Sequence, residues 1–293
     1  MRIEGCLSAI PTQFNDNGID EQALAAHATW MIDQGCSGIV VCGTTGEAAT
    51  MSNDEKIRAM NVVSEAVGAR AVVVGGAGNN STSESLEFVA RVCKETKVDA
   101  IMSVVPYYTK PPQEGIRQHF RAIADQSSLP VIIYNVPGRT VVSMTEETIL
   151  SLLDHSNIVS VKEASGDIHL AGKLVRQLDG RGTLLSGDDG PSAAFVAIGG
   201  HGVISVASNV APRIVCEAVQ AARDGDLKTM QERNHILVQL QDLLFQQPSP
   251  IAVKVALAHR GYGNTRVRQP LCEMDEAAAQ KLRDAIDALK LPS

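Results

Sequence analysis

Along most of the chain, short runs of branched apolar residues alternate with longer segments whose apolar positions recur at helical spacing. A buried strand followed by an amphipathic helix is a βα unit, and its repetition predicts a parallel sheet flanked by helices. Eight runs read as strands: Gly5–Ile10, Gly38–Cys42, Ala71–Gly75, Asp99–Val105, Pro130–Tyr134, a run within Asn157–Gly166, Gly182–Leu185 and Gly202–Ser205. Between them lie helix signals. Asp20 caps a helix reaching about Gln34, with Leu24, Ala28, Met31 and Ile32 on one face. Ser52 with Glu55, and Ser81 with Glu84, have the spacing of capping boxes. Further helices are predicted from about Gln113 to Ser127, from Thr145 to about Leu153, over about His169–Leu178 and over Ser192–Gly199. An open sheet rarely runs to eight such regular units, so residues 1–224 are expected to close into an α/β (β/α)8 TIM barrel. Residues 225–293 show no further strand and read as a C-terminal helical extension of about three helices, one preceded by QQPSP, packed on the barrel as one structural unit.

Composition narrows the function classes. A 44% hydrophobic and 20% charged chain of 293 residues has ample material for a globular core. A net charge of -7 argues against nucleic acid or an anionic membrane as partner. No segment has the pattern of a signal peptide or the roughly 20 apolar residues of a membrane span, so a cytoplasmic location is expected. Cys6, Cys36, Cys42, Cys93, Cys216 and Cys272 are scattered without a C-x-x-C pair, and reduced thiols are expected. The seven histidines show no metal-ligand spacing, and GGAGNN lacks the G-x-G-x-x-G spacing of a dinucleotide site. Neither a metal nor a cofactor is expected.

One charged residue interrupts this pattern. In NIVSVKEASG (157–166), Lys162 stands in an apolar strand run. Burial favours a neutral amine, and a neutral amine in a dry pocket attacks ketones to form Schiff bases. A lysine paired with Glu163 or snorkelling to solvent is the alternative. In a barrel of this kind the active site is built at the carboxyl ends of the strands. Thr44, Thr45, Tyr107, Tyr108, Tyr134, Gly187 and Ile204 all fall on or after strand ends, and these include three of the chain's four tyrosines. Tyrosine and threonine hydroxyls can relay protons without a titrating histidine. The GTTGE turn (43–47) can offer backbone N–H groups to a carboxylate. Arg139 either grips a substrate carboxylate with its planar fork or is a loop arginine facing solvent.

GTTGE (43–47), PYY (106–108), YNVPGRT (134–140), VKEASG (161–166), SGDD (186–189) and GVISV (202–206) together resemble the pyruvate-dependent class I aldolases, the family that includes dihydrodipicolinate synthase and N-acetylneuraminate lyase. The resemblance implies that Lys162 forms an imine with pyruvate, with Tyr134, Thr44 and Tyr108 as proton relay and Tyr108 reaching in from a neighbouring subunit. It implies that the Thr44-Thr45 turn binds the pyruvate carboxylate, that Ile204 lines the pocket with Gly187 also binding substrate, and that Arg139 grips the carboxylate of L-aspartate-4-semialdehyde. The implied product is 4-hydroxy-tetrahydrodipicolinate, on the route to lysine and diaminopimelate, made by a homotetramer of two tight dimers. Retro-aldol cleavage of a 2-oxo sugar acid by the same lysine is the alternative. Family members inhibited by lysine use positions matching Ala48, Ala49, Asn53, Lys56, Asn80, Glu84 and Tyr107. Lys56 and Asn53 replace histidines and Ala48 replaces a serine of the strongly inhibited type, so weak or absent inhibition is expected.

Overall fold

The eight predicted runs form the staves of a closed parallel barrel in the computed structural model, which describes residues 1–292. The strands are β1 (Gly5–Ala9), β2 (Gly38–Val41), β3 (Val72–Gly76), β4 (Ala100–Val104), β5 (Val131–Asn135), β6 (Ile158–Glu163), β7 (Thr183–Ser186) and β8 (Gly202–Ser205). Each pairs with its sequence neighbours, and β8 closes on β1 with Gly5 opposite Gly202 and Leu7 opposite Ile204. Ends differ from the sequence expectation by a residue or so where the backbone leaves the ladder. Cys42, for example, takes φ 57° and turns the chain out of β2 into GTTGE.

Alternation along each strand divides the apolar residues into two clusters. Leu7, Val40, Val74, Ala100, Met102, Ile132, Tyr134, Leu185 and Ile204 belong to the cluster that fills the barrel. Their neighbours Cys6, Ile39, Val41, Val73, Ile101, Ile133, Val161, Leu184 and Val203 belong to the larger cluster shared with the helices. A branched side chain on both faces is what makes these strands read as continuous apolar runs.

The barrel helices are α1 (Glu21–Asp33), α2 (Asn53–Val67), α3 (Thr82–Glu95), α4 (Gln113–Gln126), α5 (Glu146–Leu153), α6 (Ile168–Gln177), α7 (Ser192–Ala197) and α8 (Pro212–Asp224). At α2 the capping box is complete: Ser52 Oγ accepts from Glu55 N at 3.2 Å and Glu55 accepts from Ser52 N at 2.8 Å. At α3 only half of it forms. Ser81 Oγ accepts from Glu84 N, but the Glu84 carboxylate accepts from Asn79 Nδ2 at 2.8 Å instead of reaching the cap. A better placed side-chain donor has taken the acceptor.

Beyond Asp224 come α9 (Leu227–Leu244), α10 (Ile251–His259) and α11 (Glu276–Ala288). Ser293, the last residue of the expected extension, lies outside the described residues. No described helix is long and apolar enough to cross a membrane.

Candidate active site

Barrel register places the lysine. Lys162 pairs with Tyr134 on one side and Leu185 on the other, and both of these are inward residues. Parallel partners in register share a face, so Lys162 also projects into the barrel. It is 6% exposed, and its Nζ stands 4.3 Å from the centroid of the Tyr134 ring. Burial pulls the ammonium down to about 8, against the attraction of Asp188 and Asp189 and with a small push from Arg139. At pH 7 such an amine is neutral in about one molecule in ten, against about one in three thousand for a free lysine. The alternative of a lysine paired with Glu163 does not hold. The Glu163 carboxylate accepts from Asn135 Nδ2 at 2.8 Å and Ser165 N at 2.6 Å.

Tyr134 is 6% exposed and its phenol is pushed up to about 12, chiefly by burial. Arg139 and the Thr44 hydroxyl act in the opposite sense, while Asp188 and Glu163 add to the rise. The phenol therefore stays protonated through neutral pH.

A cavity of about 390 Å³ opens at the carboxyl ends of the strands, lined among others by Thr44, Met102, Val104, Tyr134 and Arg139. Lys162 is not among the residues lining it, although its Nζ lies 4.3 Å from the ring centroid of Tyr134, which is. Arg139 belongs to the single turn Pro137–Thr140 that follows β5, where Pro137 starts the turn at no hydrogen-bonding cost. Thr45 is not on the cavity: it is buried, and its hydroxyl accepts from Ser249 Oγ at 3.5 Å. Ile204 is fully buried beneath the site in the barrel interior.

Gly187 has a steric reason to be glycine. A Cβ there would lie 2.5 Å from Ala164 Cβ and 3.2 Å from Lys162 Cε. Gly187→Ala is expected to push the lysine stem aside and lower imine formation on the order of 100-fold, the cost of an ångström of misplacement. Stopped-flow measurement of imine formation, with circular dichroism to check the fold, tests this; an unchanged rate would remove Gly187 from the site.

Tyr108 stands apart from the cavity of its own chain. It is 86% exposed with φ 71°, an uncommon backbone for a side chain of this size. Of the residues matching the lysine-inhibition site, Ala48, Ala49, Lys56 and Tyr107 line the cavity, whereas Asn53, Asn80 and Glu84 do not. Lys56 Nζ lies 5.2 Å over the Phe88 ring, and burial lowers its ammonium.

Several polar residues at the same end escaped sequence reasoning. Asp189 is 1% exposed; it accepts from the Ser205 hydroxyl and from Val206 N at 2.9 Å and Ala207 N at 2.8 Å, fastening the end of β8. Glu47, the last residue of GTTGE, meets a second buried lysine. Lys254 Nζ donates to Glu47 Oε1 at 2.6 Å and to the Arg266 carbonyl at 2.6 Å, with side-chain exposures of 0% and 1% for the pair. Glu47 Oε2 accepts from Arg268 N at 2.8 Å, and the Arg268 guanidinium forks onto Glu55. Lys254 was detectable as the one charge within the apolar run IAVKVALA, the same signal that revealed Lys162.

A parallel barrel with a desolvated lysine facing a phenol on the adjacent strand defines the Schiff-base class of barrel enzymes. The family model described as the dihydrodipicolinate synthetase family matches residues 2–289, and the chain belongs to that family. A 4-hydroxy-tetrahydrodipicolinate synthase from Neisseria meningitidis serogroup B is 43% identical over 287 residues, covering 98% of each chain. The crystal structure of a Thermotoga maritima dihydrodipicolinate synthase aligns with TM-score 0.96 at 33% identity, covering 100% of both chains. A chloride-inhibited dihydrodipicolinate synthase from Acinetobacter baumannii, crystallised with pyruvate, aligns with TM-score 0.95 at 36% identity over 99% of this chain and 100% of its own.

Proposed function

We propose that this chain is a 4-hydroxy-tetrahydrodipicolinate synthase, condensing pyruvate with L-aspartate-4-semialdehyde through a Schiff base on Lys162. The observation that carries the reading is the Lys162 amine, buried in the barrel and held 4.3 Å from the Tyr134 ring. The names of its relatives support the product, and the pyruvate complex of the Acinetobacter baumannii relative supports the first substrate.

In this reading the neutral amine adds to the pyruvate ketone, and the carbinolamine oxygen leaves as water after protonation through Tyr134 and Thr44. Loss of a methyl proton gives the enamine, whose carbon attacks the semialdehyde carbon and forms the new C–C bond. The substrate's own amine then displaces Lys162, closing the ring and returning the free amine. One water is lost overall. Arg139, at the cavity wall, would hold the second substrate's carboxylate. The Thr44-Thr45 turn would hold the first through its backbone N–H groups, with Thr45 itself braced by Ser249.

Borohydride reduction in the presence of pyruvate, read by mass spectrometry, tests the reading. A reduced pyruvyl adduct on Lys162 is expected; its absence would refute the Schiff base. Turnover of a sialic or 2-keto-3-deoxy sugar acid in place of aspartate semialdehyde would instead establish the retro-aldolase.

Two further outcomes are expected. Tyr108, exposed on its own chain, completes the relay from a neighbouring subunit of a homotetramer, so Tyr108→Phe should lower kcat strongly with an unchanged fold. Wild-type turnover would remove it from the relay. L-lysine should inhibit weakly, because Lys56 adds a like charge beside a cationic ligand, worth about 1 kcal/mol or more given its partial burial. Half-inhibition below a millimolar concentration would refute that reading.

A further inference from the structure

At the opposite end of the barrel from the cavity, three cysteines distant in sequence converge. Cys6 is the second residue of β1, Cys36 lies in the connection from α1 to β2, and Cys216 is on α8. Their sulfurs all lie within 4.8 Å of one another, with 4.0 Å between Cys6 Sγ and Cys36 Sγ. Cys6 and Cys36 are 2% and 4% exposed, whereas Cys216 is half-buried and leaves a path to solvent.

Three metal–sulfur bonds of about 2.3 Å in a trigonal plane space their sulfurs about 4.0 Å apart. Among the described residues, no histidine or carboxylate joins the cluster. Three soft donors without a fourth protein ligand select a soft cation that accepts three-coordination, and thiolates of this kind favour Cu(I). We propose that Cys6, Cys36 and Cys216 form a trigonal thiolate site for Cu(I) at the amino-terminal end of the barrel.

Binding of Cu(I) forms three copper–sulfur bonds and displaces the thiol protons to solvent, with no change of oxidation state. Affinity should therefore rise with pH. The ligands tie β1, the α1–β2 connection and α8 together, so bound copper should also stabilise the folded chain.

The test is anaerobic Cu(I) titration of the full-length protein against a chromogenic Cu(I) chelator, under ascorbate. One equivalent is expected to be retained, with an ultraviolet thiolate-to-copper band, proton release and a raised Tm. Cys216→Ser and Cys36→Ser should each lose the band and the Tm shift, while Cys272→Ser, altering an exposed cysteine elsewhere, should keep both. Cys216→Ser alters a half-buried side chain, so it keeps the test decisive should Cys36→Ser fold poorly. No uptake by the wild type, equal uptake by Cys216→Ser, or retention of Zn(II) in preference to Cu(I) would each overturn the assignment.

Discussion

Lys162→Met is expected to abolish turnover and borohydride-trapped adduct while making the protein more stable at neutral pH. Both effects follow from the same burial. The amine is held at about 8, well below the ordinary lysine range, so at pH 7 the folded state carries a desolvation cost of about 3 kcal/mol that the unfolded chain does not. Methionine has a similar length and no charge to desolvate. The sign of the pH dependence is fixed by linkage. Below about 8 the lysine is protonated in both states and the cost is present in full. Between about 8 and the ordinary value of 10.5 the unfolded chain binds the extra proton, so wild-type stability gains on the variant as pH rises. Urea unfolding of both proteins across this range should show the difference narrowing; a constant difference would mean that the amine is not desolvated. The rate of imine formation by the wild type should climb with pH up to about 8, where the folded amine loses its proton, and level off above it. Function here opposes stability at a single residue.

Lys254→Met should do the reverse, unfolding the protein readily. It removes the cation from a pair with essentially no exposure and leaves the Glu47 carboxylate buried with only the Arg268 backbone N–H as donor. Breaking such a pair costs about 3–5 kcal/mol. Glu47→Gln alone strands the lysine, whereas Lys254→Met with Glu47→Gln strands neither charge, so the double variant should lose less than the sum of the singles. Urea midpoints of the four proteins measure this coupling. Additive losses would show that the two residues do not act as a pair. Because Glu47 ends the turn that carries Thr44 and Thr45, any folded Lys254→Met protein should also show raised KM for pyruvate.

The contrast between the two lysines shows what was legible in the sequence. Strand runs and caps gave the barrel because both faces of every strand are apolar and each βα unit is local. Lys162 stood out because a charge in a strand run is rare. Lys254 carried the same signal in α10, but its partner Glu47 is 207 positions away, and helical periodicity says nothing about such a pairing. Asp189 was visible only as part of SGDD; that it holds the β8 end depends on backbone N–H groups that no motif announces. The cysteines read as scattered for the same reason, since barrel closure rather than local sequence brings Cys216 to Cys6. Arg139 lines the cavity, while the buried Thr45 and Ile204 do not.

The Glu47–Lys254 contact also sets an order of events during synthesis. When the ribosome has made all eight staves, the GTTGE turn is held by Thr12, whose hydroxyl donates to the Gly46 carbonyl at 2.7 Å, but its Glu47 carboxylate still lacks its partner cation. That turn is completed only when α10 emerges, about fifty residues after the last strand. The buried charge of that turn therefore waits for the tail to fold back, and substitutions of Lys254 reach the cavity end of the barrel from outside its eight staves.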